Sequence, residues 1–386
     1  MICVYEGEGL ERLSPLVDLR PAFDLRCGRL TLLQKVRRLY PKEDVFLWVR
    51  DGLKGVAAEA HPDCRTNVPV EQAGLFLSAR AIFDEPVPAR GRESVLLVGE
   101  EVVGFRLRAK GAAELSSLRR LKASIPEEQV KARVVRYPWD LVELTPGELE
   151  RECGLGSGSR SSRAIAVVGN RKKLRIGPGA RVWPGAVVST ETGPVFLDRS
   201  AAIRPGSFVE GPCFIGPGTV IDGARVRPGC SFGPHCRIGG EVEASVFQGY
   251  ANKHHDGFIG HSFIGEWVNL GALTTNSDLK NAYQPVQVFY DGRPVETGRL
   301  KVGCFIGDHA KTAIGSLINT GTRIGTFANW FEPGLSPKEI PAFGWGKTRC
   351  WKWGDVLANA RQVTMRRGVE MSPAYEGVLH ALYRRS

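Results

Sequence analysis

A strict six-residue repeat in the middle of the chain constrains the fold more than any other feature. An aliphatic or aromatic residue returns at every sixth position, usually followed by glycine and proline, as in the hexads IGPGAR, IRPGSF and IGPGTV. The repeated positions are Ile176, Val182 and Val188, then Leu197, Ile203, Val209, Ile215 and Ile221, then Val226, Phe232 and Ile238, and finally Ile306, Thr312, Ile318, Ile324 and Trp330. A helix repeats at about 3.6 residues and a strand at about 2, so this period is typical of neither alone.

Hexapeptide repeats predict a parallel β-helix, in which three short strands form one triangular coil of about 18 residues. The apolar residue of each hexad points inward, and glycine and proline form the corners. Glycine is abundant, with 46 of 386 residues, but the every-third-residue period of collagen is absent. The pattern indicates the left-handed kind of solenoid, an exception to the usual right-handed crossover of parallel strands.

The segments on either side of the repeat have a different pattern. Residues 1–150 contain apolar runs at Val45–Val49 and Gly74–Leu77, which predict buried strands, and an amphipathic helix over Leu30–Leu39. Strands alternating with helices indicate an α/β domain. After Trp345, apolar residues at helical spacing from Trp353 to Met365 predict a C-terminal helix, followed by a second short helix.

We therefore predict a mixed fold with four parts. A shortened α/β domain occupies residues 1–150, a glycine- and serine-rich linker 151–170, the left-handed β-helix 171–345, and a helical tail 346–386. Three parallel β-helices commonly pack around a threefold axis, so the fold class implies a homotrimer.

Net charge and cysteine content restrict the class of ligand and the cellular compartment that the sequence predicts. The net charge of +11 favours ligands that carry phosphate. No helix-turn-helix, RNA-binding aromatic motif or polybasic run accompanies that charge, and no long apolar run or secretory signal is visible, so we predict neither nucleic-acid binding nor membrane insertion. Nine cysteines without a CxxC pair predict reduced thiols in a cytoplasmic protein. We expect Cys213, Cys230, Cys236 and Cys304 to be buried and structural.

The segment Gly249–Gly257 interrupts the repeat and carries two adjacent histidines, His254 and His255. Histidines in a loop held by a rigid scaffold could perform chemistry, but a solvated surface loop is an equally simple interpretation. Adjacent side chains of an extended chain point to opposite faces, so the pair cannot form a simple chelate, and we predict no metal site.

The N-terminal stretch Glu11–Leu16, followed by Arg20-Pro21 and Gly28, resembles the sugar-1-phosphate nucleotidyltransferases. Arg12 stands where that family has a phosphate-loop arginine, which implies nucleotide binding there. The family's lysine is replaced by Ala22, and residues 75–80 lack its Mg²⁺-binding carboxylate. Three outcomes stay open for this domain: a positioning role, nucleotide binding, or nucleotidyl transfer, which alone would require Mg²⁺.

From Ala224 to Asn269, and on to Ala272, the chain aligns without a gap to the bifunctional N-acetylglucosamine-1-phosphate uridyltransferase/glucosamine-1-phosphate acetyltransferase family. Its layout is most similar to the short-headed sugar nucleotidyltransferase relatives of that family. The resemblance implies that His255 is the catalytic base and that the Ala272 N–H stabilises the thioester oxyanion. It also implies substrate-binding residues Arg227, Asn276 and Asp278, and acetyl-CoA-binding residues Ser316, Glu332 and Arg349, and we add Lys253 and Lys280 as candidate substrate-binding residues.

The match to that family has three departures: Phe258 and Ser277 replace tyrosines, and Ser245 replaces a phosphate-binding lysine, for which Lys253 or Lys280 could substitute. The leading hypothesis is an acetyl-CoA-dependent N-acetyltransferase acting on an amino-sugar phosphate or a nucleotide sugar. The alternatives are a sugar-1-phosphate nucleotidyltransferase and a non-catalytic trimeric scaffold.

Overall fold

The computed structural model describes residues 1–69, 73–108, 125–154 and 165–386, together with the backbone of 159–160. The N-terminal domain is built on a mixed seven-stranded sheet, in which Glu101–Leu107 runs antiparallel to both of its neighbours and every other adjacent pair of strands is parallel. In spatial order its strands are Glu127–Gln129, Ser94–Val98, Glu101–Leu107, Gly74–Ser78, Ile2–Tyr5, Val45–Trp48 and Arg65–Thr66. Two small antiparallel pairs accompany it: Arg26–Cys27 with Leu30–Thr31, and Ala81–Phe83 with Ala132–Val134.

Five α-helices lie in the described residues: α1 (Leu32–Leu39), α2 (Lys54–Ala60), α3 (Pro138–Arg151), α4 (Trp353–Met365) and α5 (Pro373–Tyr383). Helix α1 begins at a capping box, in which Thr31 accepts from the Gln34 N–H and the Gln34 side chain accepts in return. Helices α4 and α5 confirm the C-terminal helices expected from the sequence. None of these helices is both long and apolar enough to cross a bilayer.

The middle of the chain is a three-sided parallel solenoid, and its faces are numbered here in chain order. Face 1 contains Leu174–Ile176, Val195–Leu197, Cys213–Ile215, Cys230–Phe232, Val246–Phe247, Phe263–Ile264, Cys304–Ile306, Thr322–Ile324 and Glu339–Ile340. Face 2 contains Arg181–Val182, Ala202–Ile203, Val220–Ile221, Arg237–Ile238, Asn252–Lys253, Asn269–Leu270, Lys311–Thr312, Asn329–Trp330 and Gly344–Trp345. Face 3 contains Ala166–Val168, Val187–Ser189, Phe208–Glu210, Arg225–Val226, Glu241–Glu243 and Phe258–Gly260, and then Thr275–Asn276 paired with Leu317–Ile318.

The inward residues of the hexads form the solenoid core. Ile203, Ile215 and Val226 have no exposed surface, and each stacks on its equivalent in the next coil through parallel pairing. The four solenoid cysteines are buried as expected, and burial raises the pKa of the Cys230 thiol to about 12. The predicted fold class is thus confirmed: an α/β domain, a parallel β-solenoid and C-terminal helices.

The first solenoid strand, Ala166–Val168, begins inside the segment predicted as a linker. Within that segment, residues 155–158 and 161–164 lie outside the described part of the chain.

The predicted interruption of the repeat at Gly249–Gly257 is wrong. The strand Asn252–Lys253 passes through that segment and pairs with Arg237–Ile238 in the preceding coil. The true insertion spans residues 277–302 and contains the hairpin Gln287–Tyr290 with Arg293–Glu296. The six-residue period is not visible in this part of the sequence because Lys253, a charged residue, occupies an inward position that apolar residues fill in the other coils.

The N-terminal domain packs directly on face 1. The outward side chains of Phe263 and Phe305 are fully buried, and Trp139 of α3 contacts the Phe305 ring at a centroid distance of 6.0 Å. Arg20 reaches across to the solenoid, with Nη2 2.5 Å from Asp308 and Nη1 3.0 Å from Glu266. The two domains therefore share one apolar core and are joined by a buried ion network.

Candidate functional site

The corner between faces 2 and 3 carries both predicted histidines. The His255 side chain is exposed and makes no hydrogen bond to any described residue, whereas His254 Nε2 lies 2.8 Å from Asp222 Oδ2. Asp222 also pairs with Arg204 at 2.8 Å. Only His255 is thus available to a ligand without breaking an existing contact.

The two histidine rings do not point to opposite faces. Their centroids lie 5.4 Å apart with an angle of 31° between the ring planes. The prediction assumed an extended chain, but the backbone bends at His255 and Asp256, immediately after the strand Asn252–Lys253 ends. The bend turns both rings to the same side of the corner.

Lys253 supports this corner from inside the solenoid. Its side chain stands in register with the core residue Ile238, it is 2 % exposed, and its ammonium donates to the His255 carbonyl. Burial lowers the pKa of Lys253 to about 8, and Asp256 partly opposes that shift. Lys253 is predicted to bind the substrate. In the structure its ammonium points inward and holds the backbone of the candidate base, His255.

Replacing Lys253 with methionine should make stability less dependent on pH. A buried lysine whose pKa is about 8 binds a proton less readily than in the unfolded chain, so its burial costs most below pH 8 and is relieved as pH rises. The melting temperature of Lys253→Met relative to wild type should therefore be higher at pH 7 than at pH 9.5. A constant difference across that range would show that Lys253 does not titrate as described.

Ala272 lies one coil beyond His255 at the same corner. The Leu273 N–H donates to the Asp256 carbonyl at 2.8 Å, and the Gly315 N–H donates to the Ala272 carbonyl at 2.7 Å. The Ala272 N–H itself has no hydrogen-bond partner in the described chain. The structure therefore stacks a free imidazole and a free backbone donor in consecutive corners.

The residues predicted to bind acetyl-CoA lie further along the solenoid. Ser316 is buried and donates to the Ala313 carbonyl at 2.9 Å, at the corner that follows Ala272. Glu332 occupies the corner after that and accepts from the Lys347 N–H at 3.0 Å. Arg349 is exposed on the strand Arg349–Cys350, which closes face 2. Ser316 and Glu332 thus continue the line of corners that holds His255 and Ala272.

A histidine–carboxylate pair that the sequence analysis missed lies at the other end of face 3. Asp278 Oδ2 is 2.7 Å from His261 Nδ1, and both side chains are mostly buried. Asn276 is also buried and forms two hydrogen bonds with Gly260. Its Oδ1 accepts from the Gly260 N–H at 2.8 Å, and its Nδ2 donates to the Gly260 carbonyl at 3.0 Å. His261 follows the strand Phe258–Gly260 directly, but only the folding back of the chain brings Asp278 to it, so no local signal marked the pair.

Three other predicted residues lie apart from this corner. Arg227 is exposed on face 3, with Nε 3.5 Å from Glu210, and two strand spacings, about 10 Å, separate it from the coil of Phe258–Gly260. Lys280 donates to the Pro285 carbonyl at 2.7 Å inside the insertion. Arg12 lies in the N-terminal domain, 5.8 Å from the Tyr137 ring. One copy of the chain does not bring these cations to His255.

The segment after the first strand of the N-terminal domain is used for internal contacts. The buried Glu6 accepts from the Ala22 N–H at 2.9 Å and from Arg50 Nε at 3.1 Å. Asp18 accepts from Thr326 of the solenoid at 2.9 Å. In the part of the chain that the structure describes, no three His, Cys, Asp or Glu side chains come together as metal ligands.

Comparison with known proteins matches residues 2–160 to the family described as "Sugar nucleotidyl transferase". A "Bifunctional sugar-1-phosphate nucleotidylyltransferase/acetyltransferase" of Sulfurisphaera tokodaii is 32% identical over 156 residues, which is 38% of each chain. A "Bifunctional protein GlmU" of Synechococcus sp. is 27% identical over 197 residues, covering 49% of this chain and 38% of that protein. The match thus spans about two fifths of the length of these relatives.

Among solved structures, the Arabidopsis UDP-N-acetylglucosamine acyltransferase covers 58% of this chain at 13% identity, with a TM-score of 0.26. That score is too low to support an argument. The resemblance drawn from the sequence is confirmed: residues 2–160 match the sugar nucleotidyl transferase family, and the chain is similar to bifunctional proteins of the nucleotidylyltransferase/acetyltransferase kind.

Proposed function

We propose that the chain is an acetyl-CoA-dependent N-acetyltransferase whose acceptor is an amino-sugar phosphate or a nucleotide sugar. The observation that carries the proposal is the corner where the free imidazole of His255 precedes the unpaired Ala272 N–H by one coil. Acyl transfer needs a base and an oxyanion donor close together, and this corner supplies both. The similarity to bifunctional relatives with an acetyltransferase name supports the same class.

In the proposed reaction, His255 accepts a proton from the amine of the acceptor, and the amine nitrogen attacks the thioester carbonyl. The oxygen gains negative charge and is stabilised by the Ala272 N–H. When the tetrahedral intermediate collapses, the C–S bond breaks, and the thiolate of CoA takes up the proton from His255. The products are the N-acetylated sugar and free CoA, with no net change in protons on the enzyme.

A second candidate, sugar-1-phosphate nucleotidyl transfer, is favoured by the family match over residues 2–160. The contacts of that domain argue against it. Residues 75–80 bring no carboxylate to the end of their strand, and Arg20, from the segment resembling the phosphate loop, is committed to Asp308 and Glu266. In this proposal the N-terminal domain positions the solenoid and transfers no nucleotide.

Parallel assays separate the two functions. Incubation with acetyl-CoA and glucosamine 1-phosphate, or a UDP-linked amino sugar, should release free thiol. Incubation with UTP or dTTP, Mg²⁺ and a sugar 1-phosphate should release no pyrophosphate. Pyrophosphate without thiol would establish the nucleotidyltransferase, and release of neither, with no acetyl-CoA binding by calorimetry, would favour the non-catalytic scaffold.

We also propose that the active form is a homotrimer. The corner between faces 2 and 3 and the adjoining face carry five large apolar side chains in solvent: Leu273, Ile314, Leu317, Phe331 and Leu335. Ile314 is 79% exposed, although it lies between the corners of Ala272 and Glu332. A patch of this kind is typical of a protein interface. A partner on this surface would also cover the proposed acetyl-CoA groove.

Light scattering should give three times the chain mass of 42.2 kDa. Ile314→Lys should produce a smaller species with much lower transfer activity, because a buried charge would be forced into the interface. Met365→Lys, which places the same charge on an exposed residue of α4, should leave the trimer intact. A monomeric wild type at micromolar concentration would contradict the proposal.

A further inference from the structure

A second groove lies one corner away from His255, between face 2 of the solenoid and helix α4. Its volume is about 380 Å³. One wall is formed by Tyr250 and Trp267 at the corner between faces 1 and 2, and the opposite wall is formed by α4. His255 stands at the other end of face 2, so the groove and the proposed acetyl-transfer corner are separated by the full width of that face.

The side of α4 that faces the groove is polar. Helical spacing places Asn359, Gln362, Val363 and Arg366 on one side, and all of them line the groove. The adjoining strip of the helix, with Val356 and Ala360, is fully buried in the core. A helix that only packed on the solenoid would present apolar residues there as well. The lining of the groove on this side is therefore mostly polar, with groups that can hydrogen-bond to a ligand.

The groove carries positive charge without matching carboxylates. Lys311, Arg366 and Arg367 line it, and no Asp or Glu is among the lining residues. Burial and the nearby Arg367 lower the pKa of the neighbouring Arg237. Lys311 is held over the Phe327 ring at 4.7 Å and donates to the His309 carbonyl at 2.9 Å. Three cations with no carboxylate among the lining residues favour an anionic ligand.

Amide groups supply the rest of the lining. Asn359 Oδ1 is buried and has no hydrogen-bond partner among the described residues. Asn252 Nδ2 donates to Asn269 Oδ1 at 2.8 Å, which leaves further donor and acceptor capacity on both amides. Side-chain amides that can both donate and accept suit a ligand with several hydroxyl groups. An inorganic ion would use only the cations.

The aromatic wall excludes a stacked nucleobase. Trp267 lies between the Tyr250 ring, at 4.2 Å, and the His309 ring, at 6.2 Å, and both neighbours are nearly parallel to it. Both faces of the indole are thus occupied by a ladder of rings that follows the solenoid corner. Only ring edges are available to the groove, so a flat base has no surface on which to stack.

We propose that this groove is a second binding site, for a phosphorylated sugar, distinct from the site around His255. Lys311, Arg366 and Arg367 hold the phosphate, and the amides of Asn359 and Gln362 hydrogen-bond to the sugar hydroxyls. The assignment does not depend on the proposed acetyl transfer, because it rests on the charge and shape of a groove on another edge of the solenoid.

Calorimetry with glucose 1-phosphate, in the absence of acetyl-CoA, tests the site. The experiment uses the double variant His255→Ala/Arg227→Ala as its background, so that binding at the proposed acceptor site is removed. Binding should persist in this background and weaken at least tenfold when Arg366→Gln and Arg367→Gln are added. The pair Arg384→Gln and Arg385→Gln, which removes the same charge from exposed positions after α5, should leave the affinity unchanged.

A second arm tests the sugar. Gln362→Leu should weaken the binding of glucose 1-phosphate but not that of inorganic phosphate. In the protein with Gln362 intact, inorganic phosphate should bind more weakly than glucose 1-phosphate. Equal affinity in the Arg366/Arg367 variant and its charge-matched control would overturn the site. Inorganic phosphate binding as tightly as glucose 1-phosphate would overturn the assignment to a sugar. Neither result depends on whether acetyl transfer is observed.

Discussion

Replacing His255 with alanine should lower the rate of acetyl transfer by about 10²–10⁴-fold while acetyl-CoA still binds. The imidazole is exposed, makes no hydrogen bond to a described residue, and precedes the unpaired Ala272 N–H by one coil. Without it, the amine nitrogen has no group that takes up its proton as it attacks the thioester, and the CoA thiolate has no group that returns that proton. The measurement is initial rate by thiol release, with acetyl-CoA affinity determined separately by calorimetry.

His254→Ala is the matched control, because it removes the same group from the next residue. Its ring is already bonded to Asp222, so the loss of rate should be far smaller. Arg227→Ala should mainly raise the KM for the phosphorylated acceptor, since a phosphate changes little during acyl transfer. Equal, small losses for both histidine variants would remove His255 from the mechanism. A large loss for His261→Ala alone would shift the role of base to the His261–Asp278 pair.

Replacing Arg20 with methionine should destabilise the whole chain by about 3–5 kcal/mol. Arg20 is the only cation within ion-pair distance of Asp308 in the described chain, and Asp308 is 1% exposed. The substitution keeps much of the side-chain volume but leaves a buried carboxylate without compensation. Because Arg20 belongs to the N-terminal domain and Asp308 to the solenoid, the loss should appear as weaker docking between the two. Urea denaturation followed by tryptophan fluorescence measures it.

Arg12→Met provides the comparison for Arg20. Arg12 is half exposed, and its nearest carboxylate, Glu11, lies 3.9 Å away, so the change in unfolding free energy should stay below about 0.5 kcal/mol. A double substitution, Arg20→Met with Asp308→Leu, should recover part of the loss, because it removes the two most buried charges together and leaves only Glu266, which is 22% exposed, without its partner. An Arg20→Met protein as stable as wild type would mean that the ion network does not hold the domains together.

The features that the sequence determined by itself are those that follow from residue types recurring at a constant local spacing. A hexad repeat predicts a solenoid because each inward residue needs only its equivalent one coil away, and helix α4 follows from apolar residues at helical spacing. His255 could be identified as a candidate because the chain matches the acetyltransferase family without a gap from Ala224 to Ala272. Such patterns are visible in the chain because the partners of each residue recur at constant separation.

Only the tertiary structure decided which residues break those periods and which distant residues meet. The strand that contains Lys253 could not be recognised in the sequence, because a charged side chain occupies a core position there. Whether such a side chain is buried is decided only by the fold. His261 joins Asp278 because the chain closes a coil between them. Arg20 meets Asp308 across 288 residues of separation, and α4 returns to face 2 to form the cationic groove. These contacts depend on where whole domains and helices pack, and no local pattern of residue types carries that information.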